Sequence, residues 1–382
     1  MFTKMPFILV TIILATILLD PIIPFVFKQT FYSLSLTIKS IIIFLLPFII
    51  FGLLFKAVVM LSNSTIKIIG LILILICVSN FIATFLSYYM GMLVYNLDLS
   101  VITPKESNGL TTLWSINLPQ LIANDKAMFS GIIMGIIASK LAPIKSMIIG
   151  KKMELYIGKL FAVFTYFIPL FVIGFVMKLQ YDDSISILVK NYADVFLLII
   201  FAQFGYIAFV YFALNNFRFK DFLINIKNML PAAISGFSTM SSAVSMPLTI
   251  IGVENNIKDK DIALSVVPAT VNVHLIGDCF AIPIFAYTIL KSYGMAEPSL
   301  LSYLIFACYF VIAKFSVAAV PGGGIIMMLP ILEHYLGFNA EMLSLITALY
   351  ILFDPIITCA NVLGNGAFAQ MFDRLVGKFN LK

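Results

Sequence analysis

The stretch DPIITCANVLGNG, residues 354–366, sets a carboxylate, a hydroxyl and two carboxamides inside a long apolar run. Asp354, Thr358 and Asn361 recur at i, i+4 and i+7, and Asn365 follows Asn361 by one helical turn, so these groups share a helix face. An ionisable aspartate at the centre of a lipid-exposed helix costs about 2.5–3.5 kcal/mol on insertion scales, a cost that a polar cavity would offset. On that reading the face serves a cavity, and Pro355 with the glycines breaks the helix and frees carbonyls to line it. Two blander readings stand beside it: Asp354 caps a span that begins later, or the stripe is a hydrogen-bonded contact between helices.

Other residues invite the same two-sided treatment. His274 and Asp278, spaced i, i+4, make a pair able to hold or pass a proton near neutral pH, or else a buried structural hydrogen bond. Asn272 points a quarter to half turn away from them. Lys314, inside VIAKFSVAAVPGGG, either snorkels outwards or points inwards as a fixed positive charge. The run from Val320 to Gly324 is either a tight turn or bare backbone at a ligand or movable gate, where glycine permits close approach.

The elements that must position these groups are membrane spans. Of 382 residues, 62% are hydrophobic and 11% charged, against about 25% charged in soluble chains. The apolar runs are continuous and about 20 residues or longer, which fits helices and excludes a transmembrane β-barrel. Single spans are expected near 5–27, 40–62, 67–95, 127–147, 154–178 and 186–214. A cytoplasmic N-terminus puts Lys67, Lys140, Lys145, Lys151, Lys152, Arg218, Lys220 and Lys227 on one side and Asp182 and Asp183 opposite, while Lys28 and Lys39 go the wrong way. Cys77, Cys279, Cys308 and Cys359 lie singly, so neither a disulfide framework nor a zinc site is expected. The 24 basic residues against 18 acidic are scattered in short loops, which argues against a nucleic-acid partner.

Beyond Leu214 the pattern changes. SGFSTMSSAVSMP, with Ser241 and Ser242, interrupts one apolar stretch and SVAAVPGGGIIMMLP another; each is followed by a run with polar residues partway along, NVHLIGDCFAIP and then NVLGNG. Two interrupted hairpins, each paired with a broken helix, are the expected sign of internal repeats meeting at a midplane site. The chain divides on this reading into six helices over 1–229 and a core over 230–382.

With those motifs in order, the chain resembles the dicarboxylate/amino acid:cation symporter family, the glutamate-transporter fold, a member of which is among the standard examples of inverted-repeat transporters. INLPQLIANDKAMFSGIIMGI is similar to the start of that family's fourth helix, SSAVSMPLT to its first hairpin, ATVNVH to its seventh helix, AAVPGGG to its second hairpin and DPIITCANVLGN to its eighth helix. The resemblance implies an all-α integral membrane fold of eight transmembrane helices and two re-entrant hairpins in inverted repeats. It also implies scaffold and transport domains, a homotrimer and a second hairpin acting as gate. Position by position, it places a substrate amino group on Asp354 and the α-carboxylate on Thr358 and Asn361, with Ser241, Ser242 and the backbone of Val320, Gly323 and Gly324 completing the cradle.

Departures from the pattern bear on substrate and coupling. Where acidic-substrate members carry an arginine, this chain has Ile357 and Met240, and the seventh-helix threonine is Ile276. A second substrate carboxylate would be desolvated without a partner, so an amino acid with one carboxylate and a neutral side chain is expected. The family's sodium-site carboxylates fall on His274 and Asn365. The coupling ion is therefore expected to be Na+ near Asn272, Asn361 and Asn365, or H+ through His274 and Asp278 with Lys314 standing in for a second cation. The expectation is thus a symporter of a small amino acid in the inner membrane of a bacterium, with both termini cytoplasmic and no other cofactor. The competing readings are a C4-dicarboxylate carrier using Lys314, a passive channel, and an intramembrane aspartyl protease using Asp278 and Asp354, which lacks the expected GxGD motif.

Overall fold

The computed structural model describes residues 11–12, 14–16, 18–62, 66–99, 110–116, 118–119, 121–122, 124–181, 184–317 and 322–379. Among these, no residue is in a strand. The first half supplies α1 (Phe25–Ser62), α2 (Ile66–Asn96), α3 (Asn124–Leu141), α4 (Pro143–Tyr181) and α5 (Ser184–Leu214). The second half supplies α6 (Phe219–Thr239), α7 (Ser242–Glu254), α8 (Lys260–Thr270), α9 (Ile276–Ser292), α10 (Leu300–Ala313), α11 (Gly323–Leu336) and α12 (Ala340–Phe379). Gly70–Asn96, Tyr192–Leu214 and Ala340–Gly377 are long and apolar enough to cross a membrane. On α2, Ile74, Val78, Ile82 and Leu86 repeat every fourth residue and are exposed, an apolar stripe suited to lipid.

Two groups of helices emerge from the packing. In one, α1 lies against α3 and α4. In the other, α9 is central: it packs against α2, α5 and α12 and is buried around nearly its whole circumference, as an evenly apolar helix must be. The stretch before α3 runs along α1, whose hydroxyls satisfy its backbone: Leu113 N–H donates to Ser33 Oγ at 2.8 Å and Leu118 N–H to Ser40 Oγ at 2.9 Å.

Both expected hairpins are present. The first is α6 and α7, which reverse at Met240 and Ser241. Met240 is left-handed (φ 51°, ψ 31°) and donates its N–H to the Gly236 carbonyl, and Ser241 caps α7 by accepting from Val244 N–H. The second is α10, a 3-10 turn at Lys314–Ser316, and α11, which starts after the left-handed Gly322 (φ 72°). Each tip thus turns through a left-handed residue into a fresh helix N-terminus. Val320, assigned to the substrate cradle, lies outside the described residues, as do Asp182 and Asp183.

Several expectations need correction. The second span starts at Phe25 rather than near 40, because the chain turns at residues 20–23; Lys28, out of place in the charge pattern, is paired with Asp20 across that turn at 2.8 Å. The fourth and fifth spans meet at Ala142, so the fifth begins at Pro143. Only one of the two long core helices is broken. Residues 271–275 separate α8 from α9, whereas α12 runs unbroken through Pro355, Gly364 and Gly366. Its glycines permit close packing instead of unwinding. A Cβ on Gly364 would meet Ile276 at 3.0 Å, and one on Gly366 would collide with the Tyr211 hydroxyl.

Candidate functional site

The two hairpin tips, the break between α8 and α9, and the polar face of α12 meet at one enclosed point. The cavity there has a volume of about 20 Å³. Ser242 enters from the first hairpin, Gly324 from the second, Asp278 from α9, and Asp354, Thr358 and Asn361 from α12. Met240, Leu275 and Val317 supply apolar walls. A larger polar cavity, about 990 Å³ and including Asp221, Lys258 and Arg374, opens where the ends of α5, α8 and α12 approach each other; none of the expected site residues lines it.

Asp354 is 3% exposed and bridges helix and hairpin. Its Oδ1 accepts from the Thr358 hydroxyl at 2.9 Å, and its Oδ2 accepts from Gly322 N–H at 2.8 Å. The i, i+4 spacing therefore does what the helix period implies, with the second hairpin's tip drawn onto the same carboxylate.

Asp278 has its own partners. Tyr350 donates its hydroxyl to Oδ1 and Asn361 donates Nδ2–H to Oδ2, each at 2.7 Å, while Asn361 Oδ1 accepts from Gly277 N–H at 2.8 Å. Asn361 thus ties α12 to the first turn of α9. The expected His274–Asp278 pair does not form, because α9 starts at Ile276 and the two residues do not share a helix. His274 instead bonds through Nδ1 to Asn365 Oδ1 at 3.1 Å and through Nε2 to Ser79 Oγ at 2.9 Å, with its ring against Phe368.

The break itself is held by Asn80 of α2, whose Nδ2 donates to the Val273 carbonyl at 2.8 Å and whose Oδ1 accepts from Leu275 N–H at 3.2 Å. One carboxamide thereby satisfies two backbone groups that lipid could not. Asn272 lies in the break, and its Oδ1 is buried without a hydrogen-bond partner among the described residues. Gly323 opens α11 beside the cavity-lining Gly324, and Ser241 caps α7. Lys314 is fully buried, with its Nζ over the Phe310 ring at 4.4 Å. That places it inwards, though it does not line the cavity.

The residues missed at the sequence level are Ser79, Asn80 and Tyr350. Ser79 and Asn80 are visible as a polar pair inside an apolar span, and Tyr350 lies one turn before Asp354 on the same face.

Fold and site together define an integral membrane protein whose polar groups converge on an interior cavity. The chain belongs to the sodium:dicarboxylate symporter family, whose model matches residues 5–375. This is a family of transporters and not of enzymes, which removes the support for an aspartyl protease. No curated protein matches the chain at significant similarity.

Proposed function

We propose that the protein is a secondary active symporter that carries a small amino acid with a single carboxylate across the bacterial inner membrane. It works as a homotrimer with cytoplasmic termini and an elevator-type movement of the core against α1, α3 and α4. Transport is coupled to a cation or to protons.

The observation that carries this reading is the Asp354 carboxylate, buried in a cavity shared by both hairpin tips and bonded to Gly322 of the second. A buried carboxylate there suits a substrate ammonium, which would exchange with the Gly322 N–H. The N-termini of α7, α9 and α11 all border the cavity, and their positive ends suit the substrate carboxylate. Among the described residues no basic side chain lines the cavity. That disfavours a dicarboxylate, and Lys314, the cation such a carrier would use, is not at the cavity. A space of about 20 Å³ holds about one water, so loading requires the hairpin tips to part.

For coupling, His274 joins three elements: α2 through Ser79, the break by its own position, and α12 through Asn365. Both ring nitrogens face groups that tolerate a change of protonation, because the Ser79 hydroxyl can donate or accept and Asn365 Oδ1 accepts in either case.

The test is uptake by proteoliposomes of labelled amino acids and dicarboxylates, with sodium and pH gradients imposed separately. Accumulation of alanine or serine against a gradient, with aspartate and succinate excluded, is the expected result. Preference for succinate would restore the dicarboxylate reading, and flux that never concentrates a solute would indicate a channel.

A further inference from the structure

Two of the membrane-long helices, α2 and α5, border an apolar crevice of about 150 Å³ that shares no lining residue with the cavity at Asp354. Val78 and Ile82 of α2 and Val210 of α5 form its rim. Its floor is buried and consists of His274, Ile276 and, from α12, Ala367 and Phe368. Val78 and Ile82 are 49% and 45% exposed and belong to the stripe of α2 suited to lipid, so the described residues leave the mouth uncovered on a face that meets hydrocarbon.

Water is a poor occupant of this crevice. The polar side chains that reach it are engaged with one another or with α12: Ser79 Oγ bonds to His274 Nε2 at 2.9 Å, His274 Nδ1 bonds to Asn365, and the Tyr206 hydroxyl pairs with Ser79. An apolar cavity of this size stays dry and admits a guest of about the size of benzene. Left empty, its lining would forgo the dispersion contacts that close packing supplies. Hydrocarbon is the solvent at the mouth, and among the described residues no Lys, Arg, Asp or Glu lines the crevice to hold a headgroup. The end of a lipid tail therefore fits where a headgroup does not.

We propose that the crevice between α2 and α5 is a binding site for the end of one fatty acyl chain of a membrane lipid, which enters past Val78 and Val210 and packs on Phe368. The Phe368 ring lies against His274, with centroids 4.6 Å apart and planes 44° apart. A chain seated there supports the surface on which the imidazole rests and keeps water from the Ser79–His274 bond. The site goes beyond the symport reading and holds whatever solute the protein carries.

The experiment reads fluorescence in bilayers. In the full-length chain, Trp114→Phe removes the only tryptophan and Phe368→Trp places a reporter on the crevice floor. The protein is reconstituted in phosphatidylcholine with plain or brominated acyl chains, and the soluble quencher acrylamide is added to separate samples. The reporter should lose most of its fluorescence to brominated lipid and little to acrylamide. Ala367→Leu, which fills the crevice from the same helix, should restore that fluorescence. Absence of quenching by brominated lipid overturns the proposal, and so does quenching that Ala367→Leu leaves unchanged. Quenching by acrylamide alone also overturns it, because the crevice would then hold water. If a variant does not fold, Met371→Trp replaces the reporter or Val210→Phe the filler under the same criteria. The measurement requires no transport, so its outcome and that of the uptake assay are independent.

Discussion

Gly322, at the tip of the second hairpin, donates its N–H to Asp354 Oδ2 at 2.8 Å, so the carboxylate proposed to hold substrate also holds that tip. Substrate and hairpin tip would then compete for one acceptor. Both bonds are charge-assisted through the carboxylate, but an arriving ammonium brings a full positive charge where the Gly322 N–H brings only a dipole. The difference favours release of the tip when substrate enters.

Asp354→Asn should therefore lose substrate recognition. The carboxamide presents one acceptor and one donor where two acceptors are needed, setting an N–H against either Gly322 or Thr358. Amino acid uptake is expected to fall by about 10- to 100-fold, from the loss of a bond to a charged group. Undiminished uptake of an amino acid by Asp354→Asn would remove Asp354 from the site.

Close approach around the cavity depends on two glycines. A Cβ on Gly324 would collide with Asp278 Oδ1 and the Tyr350 hydroxyl, and one on Gly277 would collide with the Ile357 carbonyl and meet Asn361 Oδ1 at 3.1 Å. Gly324→Ala and Gly277→Ala should each destabilise by about 1–3 kcal/mol, as overpacking does, and reduce uptake. Gly70→Ala, where nothing lies within 4 Å of the added carbon, should be neutral or slightly stabilising because alanine favours helix. Thermal melting of the three variants side by side checks the order.

Much of this arrangement was legible in the sequence because it rests on local chemistry. The two hairpins announce themselves through serines, glycines and proline inside apolar runs, and the Asp354–Thr358 contact follows directly from the helix period. The misreadings come from tertiary context. Gly364 and Gly366 look like helix breakers, but the groups that press on them, Ile276 and Tyr211, belong to α9 and α5, far away in the chain. His274 and Asp278 look like a pair only if the helix is assumed to continue. The break that separates them is held by Asn80, about 190 residues earlier, a partner no local pattern reveals. Lys314 was undecidable from spacing alone, since snorkelling and burial need the same residue.

The Tyr350–Asp278 bond is a second test of how the site is held. Tyr350→Phe removes one of the two side-chain donors to Asp278 and should cost about 1–3 kcal/mol, because it leaves a buried acceptor short of a partner. Asp278→Asn combined with Tyr350→Phe should cost less than the sum of the singles, with a coupling of about 0.5–3 kcal/mol if the two act as a unit. Additive losses in the double-mutant cycle would mean that the 2.7 Å contact contributes nothing beyond packing.

His274 offers the sharpest separation of binding from driving force. Its ring reaches Asn365 on one side and Ser79 on the other, outside the cavity that holds Asp354. Replacing it with glutamine keeps a hydrogen-bonding side chain but removes the group able to carry a proton. His274→Gln should consequently lose accumulation driven by a pH gradient while retaining exchange of labelled for unlabelled substrate across the membrane, since exchange needs binding and movement but no net ion flux. A Ser79→Ala variant should keep some pH-driven uptake, because Asn365 still holds the ring, and should lower it by a few-fold through looser orientation, as loss of a supporting hydrogen bond commonly does. Equal loss of exchange and accumulation in His274→Gln would make the histidine structural, and pH-driven accumulation that survives the substitution would move the coupling group elsewhere.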